Sequence, residues 1–139
     1  MRRPTPRREL YKWHTSAILG GHPEIHDGDP QCGWYRTRLV KGGPYVPAVI
    51  WCHQPVDQSG RLTDDEVFKC KIYRKIFDPM TAWTWLAHDP ITESAYLYLY
   101  QKLEWAAIHE PDSPEANPDF TIQWGKIAPH RFTKEQDND

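Results

Sequence analysis

Thirteen prolines punctuate this 139-residue chain and cut it into short elements. Each proline lacks a backbone N–H and fixes φ, so helices and inner strands end or bend where one falls. The chain must therefore build its core from many brief segments. At 139 residues the length fits one domain, able to bury roughly two-thirds of its unfolded surface. No run approaches the ~20 apolar residues that span a bilayer. Arg2 and Arg3 are followed by Pro4, Pro6 and Arg7-Arg8-Glu9, where a signal peptide needs an apolar stretch. These features lead to the expectation of a soluble cytoplasmic domain without membrane contact.

Between the prolines, periodicity assigns the elements. Arg8–Leu19 reads as a short helix, with Leu10, Trp13, Ala17 and Leu19 near one stripe and Gly20-Gly21 as a stop. Residues 22–32 carry Pro23, Gly28 and Pro30 among polar neighbours, which is loop chemistry. Three strands follow at about Trp34–Val40, Tyr45–His53 and Val67–Arg74, the first two joined by Lys41-Gly42-Gly43-Pro44. Pro47 demotes the second toward an edge or a bulge. Asp78-Pro79 opens a helix through Leu86, because Asp caps and Pro suits the first helical turn. Asp89-Pro90 or Thr92 opens the longest helix, which ends near His109 before Pro111. Its inner face is Tyr96, Leu99, Tyr100, Leu103, Ala106 and Ala107. Phe120–Ile127 adds a last strand with Trp124.

Alternation in the strands selects a candidate surface. Val46, Ala48, Ile50 and Cys52 point one way, as do Phe68, Cys70 and Ile72, giving a core face. The other face carries Trp51, His53, Lys69, Lys71 and Tyr73, with Trp34, Arg36 and Arg38 alternating on the first strand. Cations that track phosphates beside rings that stack on bases suit single-stranded nucleic acid. Arg2, Arg3, Arg7 and Arg8 would add phosphate contacts. The competing reading is an ordinary solvated sheet face, with Trp34 and Trp51 covered by the N-terminal helix. Charge is split to match: residues 1–50 carry +4 and residues 51–139 carry -6.

A second surface lies on the longest helix. Tyr98 and Trp105 fall away from the inner stripe, and exposed aromatics anchor protein interfaces. The alternative is burial beneath the proline-rich segment 111–119 and Trp124.

Other chemistries find little support. His22, His26, Asp27 and Asp29 lie close in sequence, but no paired Cys spacing accompanies them, so no metal or other cofactor is expected. Cys32, Cys52 and Cys70 are odd in number and widely spaced, as befits reduced thiols. Cys52 and His53 are adjacent on a strand and point to opposite faces, so they make no catalytic dyad. No phosphate loop, H-E-x-x-H or G-x-S-x-G is present, and the reading is of a protein without catalysis.

The stretch from His26-Asp27-Gly28-Asp29-Pro30 through Gly33-Trp34-Tyr35 and Gly42-Gly43-Pro44 to Pro47 resembles a group of small uncharacterised proteins of tailed bacteriophages and prophages, with a pattern close to HDGDPxxGxYxxRxVxGGPxVP. The resemblance covers roughly residues 14–132. That group often has a Leu-rich finish, whereas this chain has Ile122-Gln123-Trp124-Gly125 and a polar tail. The resemblance implies a phage setting, hence action in bacterial cytoplasm or incorporation into a particle, and it brings no catalytic residue or cofactor.

The combined expectation is an α+β fold: a small antiparallel sheet of three or four short strands, curling at most into a partial barrel, packed by an N-terminal helix and two C-terminal helices. A single domain spans 1–132 with a basic arm at 1–8, and an acidic tail at 133–139 is disordered. The first functional expectation is an accessory protein that binds nucleic acid through the basic-aromatic face. The alternatives are a host-takeover or anti-defence protein that inhibits a bacterial protein through Tyr98 and Trp105, and a minor virion component.

Overall fold

The computed structural model describes residues 2–118. The expected strand at 120–127 and the acidic tail lie outside the described residues. The fold is α+β, and the described residues form a five-stranded antiparallel open sheet and four helices. Elements run α1 (Arg7–Leu10), α2 (Lys12–Ile18), β1 (Gly33–Arg38), β2 (Tyr45–His53), β3 (Val67–Ile72), β4 (Lys75–Phe77), α3 (Pro79–Leu86), β5 (Pro90–Ile91) and α4 (Glu93–His109). The described residues divide into two compact units, one of residues 2–37 and 47–98, the other of 38–46 and 99–118.

In the first unit the sheet order is β4-β3-β2-β1-β5, with edges at β4 and β5, so the sheet is open rather than a partial barrel. The β2–β3 register pairs Ala48 with Ile72, Ile50 with Cys70 and Cys52 with Phe68. These are the residues that alternation assigned to the core face, and Ala48, Ile50, Cys70 and Ile72 are fully buried. Pro47 does not push β2 to an edge: β2 is the central strand, and its ladder with β3 begins one residue later, at Ala48.

Two strands escape the sequence reading. β3 stops at Ile72, and a two-residue turn, Tyr73-Arg74, reverses the chain so that Lys75 pairs with Ile72. Such hairpin turns need positive φ, and Tyr73 supplies it (φ 54°) where Gly or Asn would be expected. At β5, Pro90 and Ile91 pair with Tyr35 and Trp34. Of the two proposed starts for the longest helix, Thr92 is the one used: its hydroxyl accepts from the Ala95 N–H at 3.1 Å.

An aromatic cluster covers the core face. Trp13 of α2, Tyr35 of β1 and Trp83 of α3 meet with ring centroids 5.0–6.5 Å apart. Indole N–H groups cannot be buried unpaired without cost. Trp13 donates to the Glu24 carbonyl at 2.7 Å, and Trp83 donates to the His26 carbonyl at 3.0 Å. The 22–32 loop is thereby fastened to the core through its backbone. Asp78 caps α3 as expected, accepting from the Thr81 N–H at 3.0 Å. The N-terminal helix is broken at Tyr11 (ψ 8°) into α1 and α2.

The second unit holds the 38–46 turn, most of α4 and a single 3-10 turn at Pro114–Ala116. In the turn the Gly43 N–H donates to the Val40 carbonyl at 3.0 Å, and Gly42 takes φ 78°.

Candidate functional site

The sheet face opposite the core is assembled by register. Trp51 lies directly across from Lys69, Val49 from Lys71, and His53 from Val67. Lys71 is in turn paired with Ile76 on β4. Directly opposed residues in antiparallel strands share a face. The seven side chains Val49, Trp51, His53, Val67, Lys69, Lys71 and Ile76 therefore form one patch, and it contains no carboxylate. Val67, Lys69 and Ile76 are exposed, and Trp51 and Lys71 are half-buried.

The remaining residues expected on that face are engaged elsewhere. Tyr73 is 7% exposed; it sits in the β3–β4 turn, its N–H donating to the Pro47 carbonyl at 2.7 Å. Alternation ended at Ile72, so the face assigned to Tyr73 by parity does not apply. Trp34 lies beneath the N-terminal helices, 5.3 Å from the Tyr11 ring and 5.4 Å from His14. The Arg7 guanidinium stands 4.3 Å from the Tyr11 centroid and 5.9 Å from that of Trp34. Arg36 forms an ion pair with Asp89 at 3.0 Å. Arg38 sits 4.1 Å over the Tyr45 ring in the second unit. Arg3 and Arg8 are exposed.

Arg2 is bound to Glu66 at 2.8 Å, so the basic arm is in part a structural strap. The Glu66 carboxylate also accepts from the Thr5 N–H (2.8 Å), the Thr5 hydroxyl (2.8 Å) and Gln54 Nε2 (2.7 Å). Four donors on one carboxylate, led by Gln54, hold its pKa down to about 2.

A buried histidine went unnoticed in the sequence. His14 is 4% exposed, and its Nε2 lies 2.9 Å from the Trp34 carbonyl and 2.8 Å from the Ile91 carbonyl. Both partners are acceptors, so Nε2 carries the proton and donates to both, clasping β1 to β5. Burial lowers its pKa. Its position was readable, because 10, 13/14 and 17 share one helical stripe.

The thiols and metal candidates follow their surroundings. Burial pushes Cys32 and Cys70 up to about 12, and Cys52 is raised as well, mainly by desolvation. Thiols so shifted stay protonated at neutral pH and make poor nucleophiles and metal ligands. His26 faces Glu24 at 3.4 Å. Among the described residues no three or more His, Cys, Asp or Glu side chains are grouped to hold a metal. Nor, among them, is any helix long and apolar enough to cross a membrane.

Helix α4 has two apolar sides. Leu103 and Ala106 are buried, with Tyr96, Leu99, Tyr100 and Ala107 half-buried beside them, as the periodicity predicted. At 100° per residue these six span an arc of about 120°. On the opposite side Leu97, Ile108, Gln101, Ser94, Trp105 and Tyr98 fall within an arc of about 100°. Tyr98 is 67% exposed, Trp105 53%, Ile108 73% and Leu97 50%. Tyr98 and Trp105 are thus not buried beneath 111–118, and Trp124, the other expected cover, lies outside the described residues. Leu97 and Ile108 belong with them, and the same angular bookkeeping on the sequence would have found both. The outer arc holds no charge; Lys102 and His109 flank it on one side, Glu93 and Glu104 on the other.

No family model matches the chain, and no curated protein or solved structure does either.

Proposed function

We propose that this is a non-catalytic binding protein whose main partner is another protein, gripped by the outer face of α4. The observation that carries the reading is the pair Tyr98 and Trp105, two helical turns apart, each more than half exposed and backed by Leu97 and Ile108. A helix packed against its own domain on one side is expected to be polar on the other. An uncharged aromatic strip with charged margins is instead the anatomy of a protein interface, where one aromatic anchor contributes about 2 kcal/mol or more.

Magnitudes favour this surface over the sheet face. Of the eleven residues first assigned to nucleic acid, only Trp51, Lys69 and Lys71 lie in the patch, while Arg2 and Arg36 are neutralised by carboxylates. One stacking ring supplies about 1–3 kcal/mol, less than two interface anchors together. The resemblance to phage and prophage proteins supports a bacterial host or defence protein as the partner, met in the host cytoplasm.

The test uses the full chain as bait in bacterial lysate, beside a Tyr98→Glu/Trp105→Glu variant with an unchanged thermal melt. A partner retained by the wild type and lost by the variant is expected. The same partner on both baits, or none on the wild type, overturns the reading.

A further inference from the structure

We infer that the open face of the sheet is a second, independent binding surface, for single-stranded nucleic acid. It rests on the β2–β3–β4 register and on charge, not on the reading of α4.

The pairing places Trp51 directly across from Lys69, with opposed positions about 5 Å apart at their β-carbons. Lys71 follows two residues along β3, about 7 Å from Lys69 by strand geometry. Val49, Val67 and Ile76 share the face with these three and have no planar ring to stack. The absence of any carboxylate among the seven positions sets the sign of the ligand: this patch repels nothing anionic. A single strand can lay one base on Trp51 while its phosphates meet Lys69 and Lys71. A duplex holds its bases in the stack, away from an indole on the sheet face. An acidic peptide would satisfy the lysines but leave the ring without a planar partner.

The number of cations fixes the salt response. For single strands log K falls with log salt at a slope of about -0.7 per phosphate neutralised, hence about -1.4 for two lysines. Between 50 and 200 mM salt the affinity should drop about sevenfold by that slope. Engagement of Arg2, Arg3, Arg7 and Arg8 as well would steepen the slope to about -4.

The experiment is fluorescence anisotropy of a labelled twelve-residue oligothymidylate with the full-length protein. Binding at 50 mM salt with a sevenfold loss at 200 mM is expected. Trp51→Ala should weaken it about tenfold to a hundredfold. Lys69→Glu/Lys71→Glu, with an unchanged thermal melt, should abolish it, and Tyr98→Glu/Trp105→Glu should leave it unchanged. Absence of wild-type binding, undiminished binding by the Lys69→Glu/Lys71→Glu variant, or equal affinity for a duplex or a poly-glutamate peptide overturns the inference. Because the α4 variant is the unaffected control, failure here leaves the protein-partner reading standing, and the reverse also holds.

Discussion

The imidazole of His14 occupies the space that a side chain on Gly33 would need. A β-carbon built on Gly33 would fall 2.7 Å from the His14 β-carbon, and nearer still to its ring. The histidine is itself fixed, because its one N–H serves carbonyls on two strands. Neither group can yield without breaking that clasp.

Gly33→Ala is therefore expected to destabilise the fold by about 1–3 kcal/mol, the usual cost of overpacking. In a His14→Ala background the same change should cost less, since the ring contacts are gone and only the 2.7 Å β-carbon contact remains. Urea denaturation of the two single variants and the double variant measures this coupling. Additive effects would show that the two residues do not contend for one space.

Stability should also depend on pH through His14. Its folded pKa lies below the ordinary value of 6.5, so the unfolded chain takes up the proton first. The stabilisation is complete above about 6.5 and is lost as pH falls through the folded value. A His14→Gln variant should lack this limb. Denaturant midpoints at pH 8, 6.5 and 5.5 report it.

Glu66 predicts a second, more acidic limb. Its folded pKa is held to about 2 against an ordinary 4.5, so its contribution is whole above 4.5 and drains away as pH falls toward 2. Protonation would release Arg2, Thr5 and Gln54 together. Glu66→Gln should flatten stability between pH 4.5 and 2 and speed proteolysis before Pro6. An unchanged acid profile would place the N-terminal strap's anchor elsewhere.

Much of this was legible in the chain because it rests on periodicity. The shared face of Ala48, Ile50, Cys70 and Ile72 and the common outer face of Trp51 and Lys69 follow from alternation of period two, though the register that pairs them does not, and the inner stripe of α4 follows from a period of 3.6. What escaped depends on partners distant in sequence. β4 and β5 are three and two residues long, too short for any period, and exist as strands only because β3 and β1 offer edges. Tyr73 turns the chain without a turn residue's signature. Arg2 and Arg36 look like cations available to a ligand until Glu66 and Asp89, 64 and 53 positions away, claim them. Charge counted along a sequence says nothing of which charges cancel in space.

The loop that carries the His26-Asp27-Gly28-Asp29-Pro30 stretch is held to the core by its carbonyls, offered by Glu24 and His26 to Trp13 and Trp83. Every residue type has a carbonyl, so at those two positions the fold is indifferent to the side chain. It is intolerant of length, because one inserted or deleted residue would carry a carbonyl away from its indole. Apart from Gly28, whose φ of 74° favours glycine, the segment is thus free to vary in chemistry while its contour is kept, which makes it a surface whose identity can drift without the architecture beneath it changing.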